Sequence, residues 1–154
     1  MATLREAIIT HLREDTGAGS LVEKLGNDAT RIKPRGFITA DGTFPQVGVE
    51  MAHTTGMSSA RPHSNQVVHV YVYTRSEASN VRDWITIDEV IGLVIPRLNS
   101  VEPDDFSLTV DEDFKPWEVA FDGFVSRDLF DEVIRADYRW IRFRVFGLRT
   151  STQV

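Results

Sequence analysis

The chain has no cysteine, which excludes disulfides, thiolate metal sites and a cysteine nucleophile and matches the usage of a reducing compartment. Long apolar runs are missing as well: none approaches the ~18 residues that a membrane-spanning helix needs. The opening stretch, MATLREAIITHLRED, sets charges inside its apolar pattern and so lacks the uninterrupted core of a secretory signal. Lysine is scarce, with Lys24, Lys33 and Lys115 standing against fourteen arginines. Positive charge is in deficit overall. The formal net charge of −6 excludes a protein that grips nucleic acid over its whole surface, because phosphate binding needs clustered Lys and Arg. These absences point to a chain made and kept in a cytoplasm.

What is present is an ordinary globular composition, 42% hydrophobic and 26% charged over 154 residues, which fits a single domain spanning 1–154. Thr3 and Glu6 form a capping box that opens a helix. Leu4, Ala7, Ile8 and Leu12 line one face of it, and Gly17 is placed to stop it. Ser20 and Glu23 repeat the device for a shorter helix containing Leu21, Val22 and Leu25 and ending at Gly26.

Residues 29–38, weakly extended and broken by Pro34, suit an edge strand or an irregular crossing. FPQVGVEM, 44–51, alternates with period 2 and predicts a half-buried strand. The polar stretch 52–65 then reads as the flexible loop of an extended hairpin leading into QVVHVYVY, 66–73. That strand is apolar on both sides: Val68, Val70 and Val72 point one way, and Val67, His69, Tyr71 and Tyr73 the other. A central strand covered on both faces has this composition.

Next comes the longest helix, with Val81, Trp84, Ile87, Ile91, Val94 and Leu98 at steps of three and four. Ile85, Val90 and Ile95 widen the stripe beyond one contact face, and Pro96 ends or kinks the last turn. Three further strands are expected at 106–110, 117–125 and 136–147, with 131–135 turning into the last. The final residues, 148–154, read as a tail. The expected fold is α+β: a mainly antiparallel sheet packed by one long helix, with a helical N-terminus and an extended hairpin loop.

Signals for catalysis are weak. His11, His53, His63 and His69 are too scattered for a metal site, and His69 reads as a partly buried histidine beside Tyr71. The acidic run Glu102, Asp104, Asp105, Asp111, Glu112, Asp113 lacks the glycine and spacing of a calcium loop and reads as solvated turns. TGAGS, 16–20, has neither the preceding strand nor the lysine of a phosphate loop, and no G-x-S-x-G elbow occurs. No catalytic residue, metal or cofactor is assigned. Arg139, Arg142 and Arg144 beside Trp140 stand apart. They are either a solvated outer strand face or a surface between subunits, where arginine and aromatic residues concentrate. The acidic segments at 102–113 would supply a partner on a neighbouring copy.

The order of elements carries a resemblance over Leu4 to Phe146. The capped first helix, the short second helix ending in glycine, FPQVGVEM, the polar loop, VVHVYVYTR, the break SEASN, the helix VRDWITIDEVIGLVIPRLN and the closing ADYRWIRFRVFG are together similar to the tail-terminator, or tail-completion, proteins of long-tailed bacteriophages and related viruses. The resemblance implies a structural virion protein of the neck and tail rather than an enzyme. It implies a homo-oligomer, expected as a hexameric ring, that caps the tail tube and meets the head-side connector or stopper protein.

Under that resemblance the subunit interface would use Trp84, Ile95, Arg139, Trp140, Arg142 and Arg144. The loop residues His53, Thr54, Met57, Arg61 and His63 would dock on a neighbour. An acidic lumen would let DNA pass without specific binding, and no membrane is involved. The alternatives are the head-side connector or stopper of the same neck, or a small α+β hydrolase or ligand-binding domain using His53, His63 and Ser58 or Ser59.

Overall fold

A computed structural model of the chain describes residues 3–52, 63–75, 83–99 and 114–149, with backbone alone at 63–65, 114–117 and 148–149. The first helix, α1 (Leu4–Arg13), starts as the sequence indicates. The Thr3 hydroxyl accepts the Glu6 N–H at 3.2 Å, and the Glu6 carboxylate accepts the Thr3 N–H at 3.0 Å. It ends earlier than Gly17 suggests, at a Glu14 cap, and Gly17 instead takes φ 109° in the turn that follows. The single-turn α2 (Leu21–Lys24) is capped by Ser20.

A short edge strand, β1 (Ile32–Pro34), lies between two 3-10 turns and runs parallel to β2 (Gln46–Met51). The sheet continues antiparallel through β3 (His63–Thr74), β6 (Ala136–Arg149) and β4 (Phe114–Val125), in the order β1-β2-β3-β6-β4. A three-residue strand, β5 (Leu129–Asp131), pairs with the start of β6. The expected α+β class is present: a mainly antiparallel sheet with one long helix, α3 (Trp84–Leu98).

Several boundaries differ from those expected. β2 begins at Gln46 rather than Phe44, β3 takes in residues 63–65 of the expected loop, and β6 absorbs residues 148–149 of the expected tail. β4 starts three residues earlier than the expected 117. Val81 and the expected strand at 106–110 lie outside the described residues.

Burial of the apolar alternation sets the register. Val47 and Val49 of β2, Val68, Val70 and Val72 of β3, and Ile141, Phe143 and Val145 of β6 all face the helices and are fully buried. They meet Ile8 and Leu12 of α1 and Ile87, Val90, Val94 and Leu98 of α3, also fully buried. The helices are locked end to end. Arg97 donates to the His11 carbonyl at 3.1 and 2.9 Å, satisfying an acceptor that the end of α1 leaves open, while the His11 ring lies 3.1 Å from the Arg97 carbonyl.

This packing corrects the expectation of surplus apolar surface on the long helix. Val90 is buried and Ile95 packs against the core, because α1 and α2 lie beside α3 and widen the face it must cover. Of the three widening residues only Ile85 stays exposed.

At one end of the sheet Arg75 gathers two loops. It donates to the carbonyls of Ala40 (2.7 Å), Arg135 (2.9 Å) and Ile134, and its guanidinium lies over the Phe44 ring.

Candidate interaction surface

The face of the sheet away from the helices carries a smaller buried cluster, Ile38, Tyr71, Tyr73 and Ala136, and beside it side chains that stay partly exposed. Cross-strand register brings Tyr73 beside Tyr138, Tyr71 beside Trp140, His69 beside Arg142 and Val67 beside Arg144. The result is an aromatic ladder: ring centroids are 5.0 Å apart for Tyr73 and Tyr138, 6.3 Å for Tyr71 and Trp140, and 4.3 Å for His69 and Trp140. Spacings of this order lie in the range where aromatic pairs attract.

One half of this face is covered by the chain itself. The 3-10 turn at Arg35–Phe37 crosses β2 above Gly48, where an added Cβ would stand 2.6 Å from Ile38 Cδ1 and 3.0 Å from Arg35 Cα. Glycine is therefore what lets the backbone approach so closely. The approach places the Arg35 guanidinium 3.9 Å from the Tyr71 ring centroid, within 3.1 Å of the Tyr73 hydroxyl and within 3.0 Å of a Glu50 oxygen. Burial works against the Arg35 charge, but the bonds to Tyr73 and Glu50 hold its pKa above the ordinary value. Burial pushes the Tyr71 hydroxyl up to about 12 and raises that of Tyr73 as well.

The other half is open. Trp140 is flanked by His69 on β3 and by Phe124 on β4, at 4.3 and 4.7 Å. Arg142 lies 4.8 Å from the Phe124 ring centroid, and both Arg142 and Arg144 reach the same oxygen of Asp122, Arg144 at 3.5 Å. Asp122 is only 10% exposed at its side chain, whereas Arg144 is 40% exposed. Glu118, exposed, falls on this same side by alternation. Desolvation keeps the His69 imidazole below its ordinary pKa, outweighing the pull of Glu50.

The structure divides the residues singled out from sequence. Trp140, Arg142 and Arg144 do share one surface. Arg139 does not: by the parity of β6 it sits on the helix side, paired with Asp88 and Asp128 and 5.4 Å from the Trp84 ring. Grouping the three arginines on one face was therefore mistaken, and the alternation with Ile141 and Phe143 already contained the correction. Trp84 and Ile95 pack against the core edge. His63 is placed by backbone alone, opposite Leu148, while His53, Thr54, Met57 and Arg61, with Ser58 and Ser59, lie outside the described residues.

Three members of the surface went unassigned in the sequence. Asp122 and Phe124 stand on either side of Gly123 (φ 86°), where the β4 ladder slips between Phe121 and Val125, and that glycine was the available signal of a bulge. Arg35 carried no signal, because its position depends on a turn folding back over Gly48. Among the described residues no group of three or more His, Asp or Glu could hold a metal ion. No helix among them is long and apolar enough to cross a membrane.

The class defined by this architecture is an α+β domain with helices packed on one face of a six-stranded sheet and an aromatic and arginine surface on the other. Within that class the chain has the same fold as a solved chain of the "Virion of native gene transfer agent (GTA) particle", with a TM-score of 0.62, 14% identity, and 95% of each chain covered. No protein-family model matches the chain, and no curated protein matches it.

Proposed function

We propose that the chain is a structural virion protein without catalytic activity, a subunit of the neck and tail that assembles as a ring, terminates the tail tube and joins it to the head-side connector. The observation that carries this reading is the full-length fold likeness to a chain of a gene transfer agent virion. The order of elements along the sequence supports it independently. Subunits meet through the open half of the outer face, where Trp140 and Phe124 supply apolar area and Arg142 and Arg144 supply directed charge. Arginine beside aromatic rings is the composition that interface cores favour. Copies related by rotation and joined head to tail close into a ring, six being the expected number. The acidity of the chain lets DNA pass through the lumen without adhering.

Light scattering on the purified chain tests the assembly, and electron microscopy of the chain mixed with tail tubes from the same particle tests the position. The expected results are a ring-sized particle and density at one tube end. Arg144→Glu, chosen because Arg142 is needed to satisfy the nearly buried Asp122, is expected to abolish the ring while leaving circular dichroism unchanged. A chain that remains monomeric at high concentration and ignores tube ends overturns the reading. Binding to the head-side connector alone assigns it instead to the stopper position.

A further inference from the structure

Resting on the reading that the open half of the outer face is a subunit interface, we infer that assembly is linked to the protonation of His69: covering the face expels a proton, so rings form more readily as pH rises and loosen as it falls.

His69 occupies the middle of the open half, one strand from Glu50 on β2 and one from Arg142 on β6. Its ring lies over Trp140 at 4.3 Å and meets the edge of Tyr71 at 6.2 Å. The charged groups that face it are Glu50, Arg35, Arg142 and Asp122. Neither carboxylate is free to become its partner: Glu50 is held by Arg35, and Asp122 is shared by Arg142 and Arg144. An imidazolium here would gain no dedicated anion while sitting close to two guanidinium groups.

A single copy leaves the ring only partly covered. A neighbour laid on Trp140 and Phe124 removes the water that remains, and desolvation penalises the charged form of histidine. The neutral ring, lying against Trp140, has no such cost. The Trp140 face attracts a cation and opposes this trend, so the sign of the pH effect reports which influence prevails. Thermodynamic linkage then requires that a proton released on association be matched by association that strengthens with pH. Among the described side chains the other histidine, His11, lies on α1 against the Arg97 carbonyl, remote from this face.

Sedimentation analysis of the wild-type chain from about pH 5 to 7.5 measures the association constant. It is expected to fall by up to roughly tenfold per pH unit, for each proton linked to a contact, once pH drops below the lowered pKa that His69 has in the single copy. His69→Gln is expected to flatten the profile. As that variant alters packing on Trp140, dilution calorimetry of the wild type in two buffers of different ionisation enthalpy counts the protons directly. A profile already flat in the wild type, tighter assembly in acid, or an unchanged slope in His69→Gln each overturns the linkage while leaving the interface standing. A wild-type chain that is monomeric throughout the range overturns the interface and the linkage together.

Discussion

The two faces of the sheet are made by the same strands and use them differently. On the helix side Val47 and Val49 of β2, Val68, Val70 and Val72 of β3, and Ile141, Phe143 and Val145 of β6 are fully buried in one core with α1 and α3. On the outer side the same strands carry Tyr71, Tyr73, His69, Trp140, Arg142 and Arg144, of which the chain buries Tyr71 and Tyr73 and leaves the others partly exposed. The helix face holds the fold together through area removed from water, an undirected force proportional to surface. The outer face is organised by direction instead: ring stacking, guanidinium over aromatic, one carboxylate shared by two arginines. Such contacts add little to folding but can discriminate among partners.

Truncations that separate the two faces test this contrast. Phe143→Ala, on the helix side, opens a cavity beneath α3 and is expected to cost about 3–5 kcal/mol, read as a large fall in thermal midpoint. Trp140→Ala, three residues away along β6 and on the other side, is expected to cost only about 0.5–1.5 kcal/mol of folding stability while removing assembly. Equal melting losses for the two would erase the distinction between the faces. Arg35→Ala is expected to be intermediate, about 1–2 kcal/mol, because it releases the Tyr73 hydroxyl and Glu50 from a part-exposed bond network. Chemical denaturation measures it, and a neutral result would mean that the turn stays on β2 without its arginine.

A further effect is expected in alkali. Tyr71 deprotonates near 12 in the folded chain and near 10 when unfolded. A raised folded value means that the stability is fully present below about pH 10 and is lost as pH climbs toward 12. Ultraviolet titration should show a tyrosine resisting ionisation across that window. A normal midpoint would show that Tyr71 is as wet as the open half.

The legibility of the chain follows the same division. Val68, Val70, Val72 and Ile141, Phe143, Val145 could be read because burial imposes a period that the sequence must obey. The capping box at Thr3 and the Ser20 cap were readable because they satisfy backbone groups locally, although the Glu23 carboxylate accepts the Gly19 N–H and so does not close a second box. Val90 and Ile95 were misjudged because the width of a helix's buried stripe depends on what else lies beside it, here α1 and α2. The strand β5 has three residues and no period to show. The Asp122 arrangement depends on where a bulge slips the ladder, and Arg35 depends on a close backbone approach. Both are decided by tertiary geometry. Trp140, Arg142 and Arg144 were found by composition and alternation, and Arg139 was misplaced by attending to residue type over parity.

The outermost strand, β4, has its own implication for how copies can meet. It carries Pro116, which has no N–H to offer, and its ladder slips twice, between Pro116 and Glu118 and between Phe121 and Val125. A margin broken in this way is a poor template for adding another strand. Polymerisation by zipping backbone to backbone, which has no natural stopping point, is thereby discouraged. If copies assemble as proposed, growth is left to side-chain contacts whose angles are fixed, and fixed angles are what allow a series of subunits to finish.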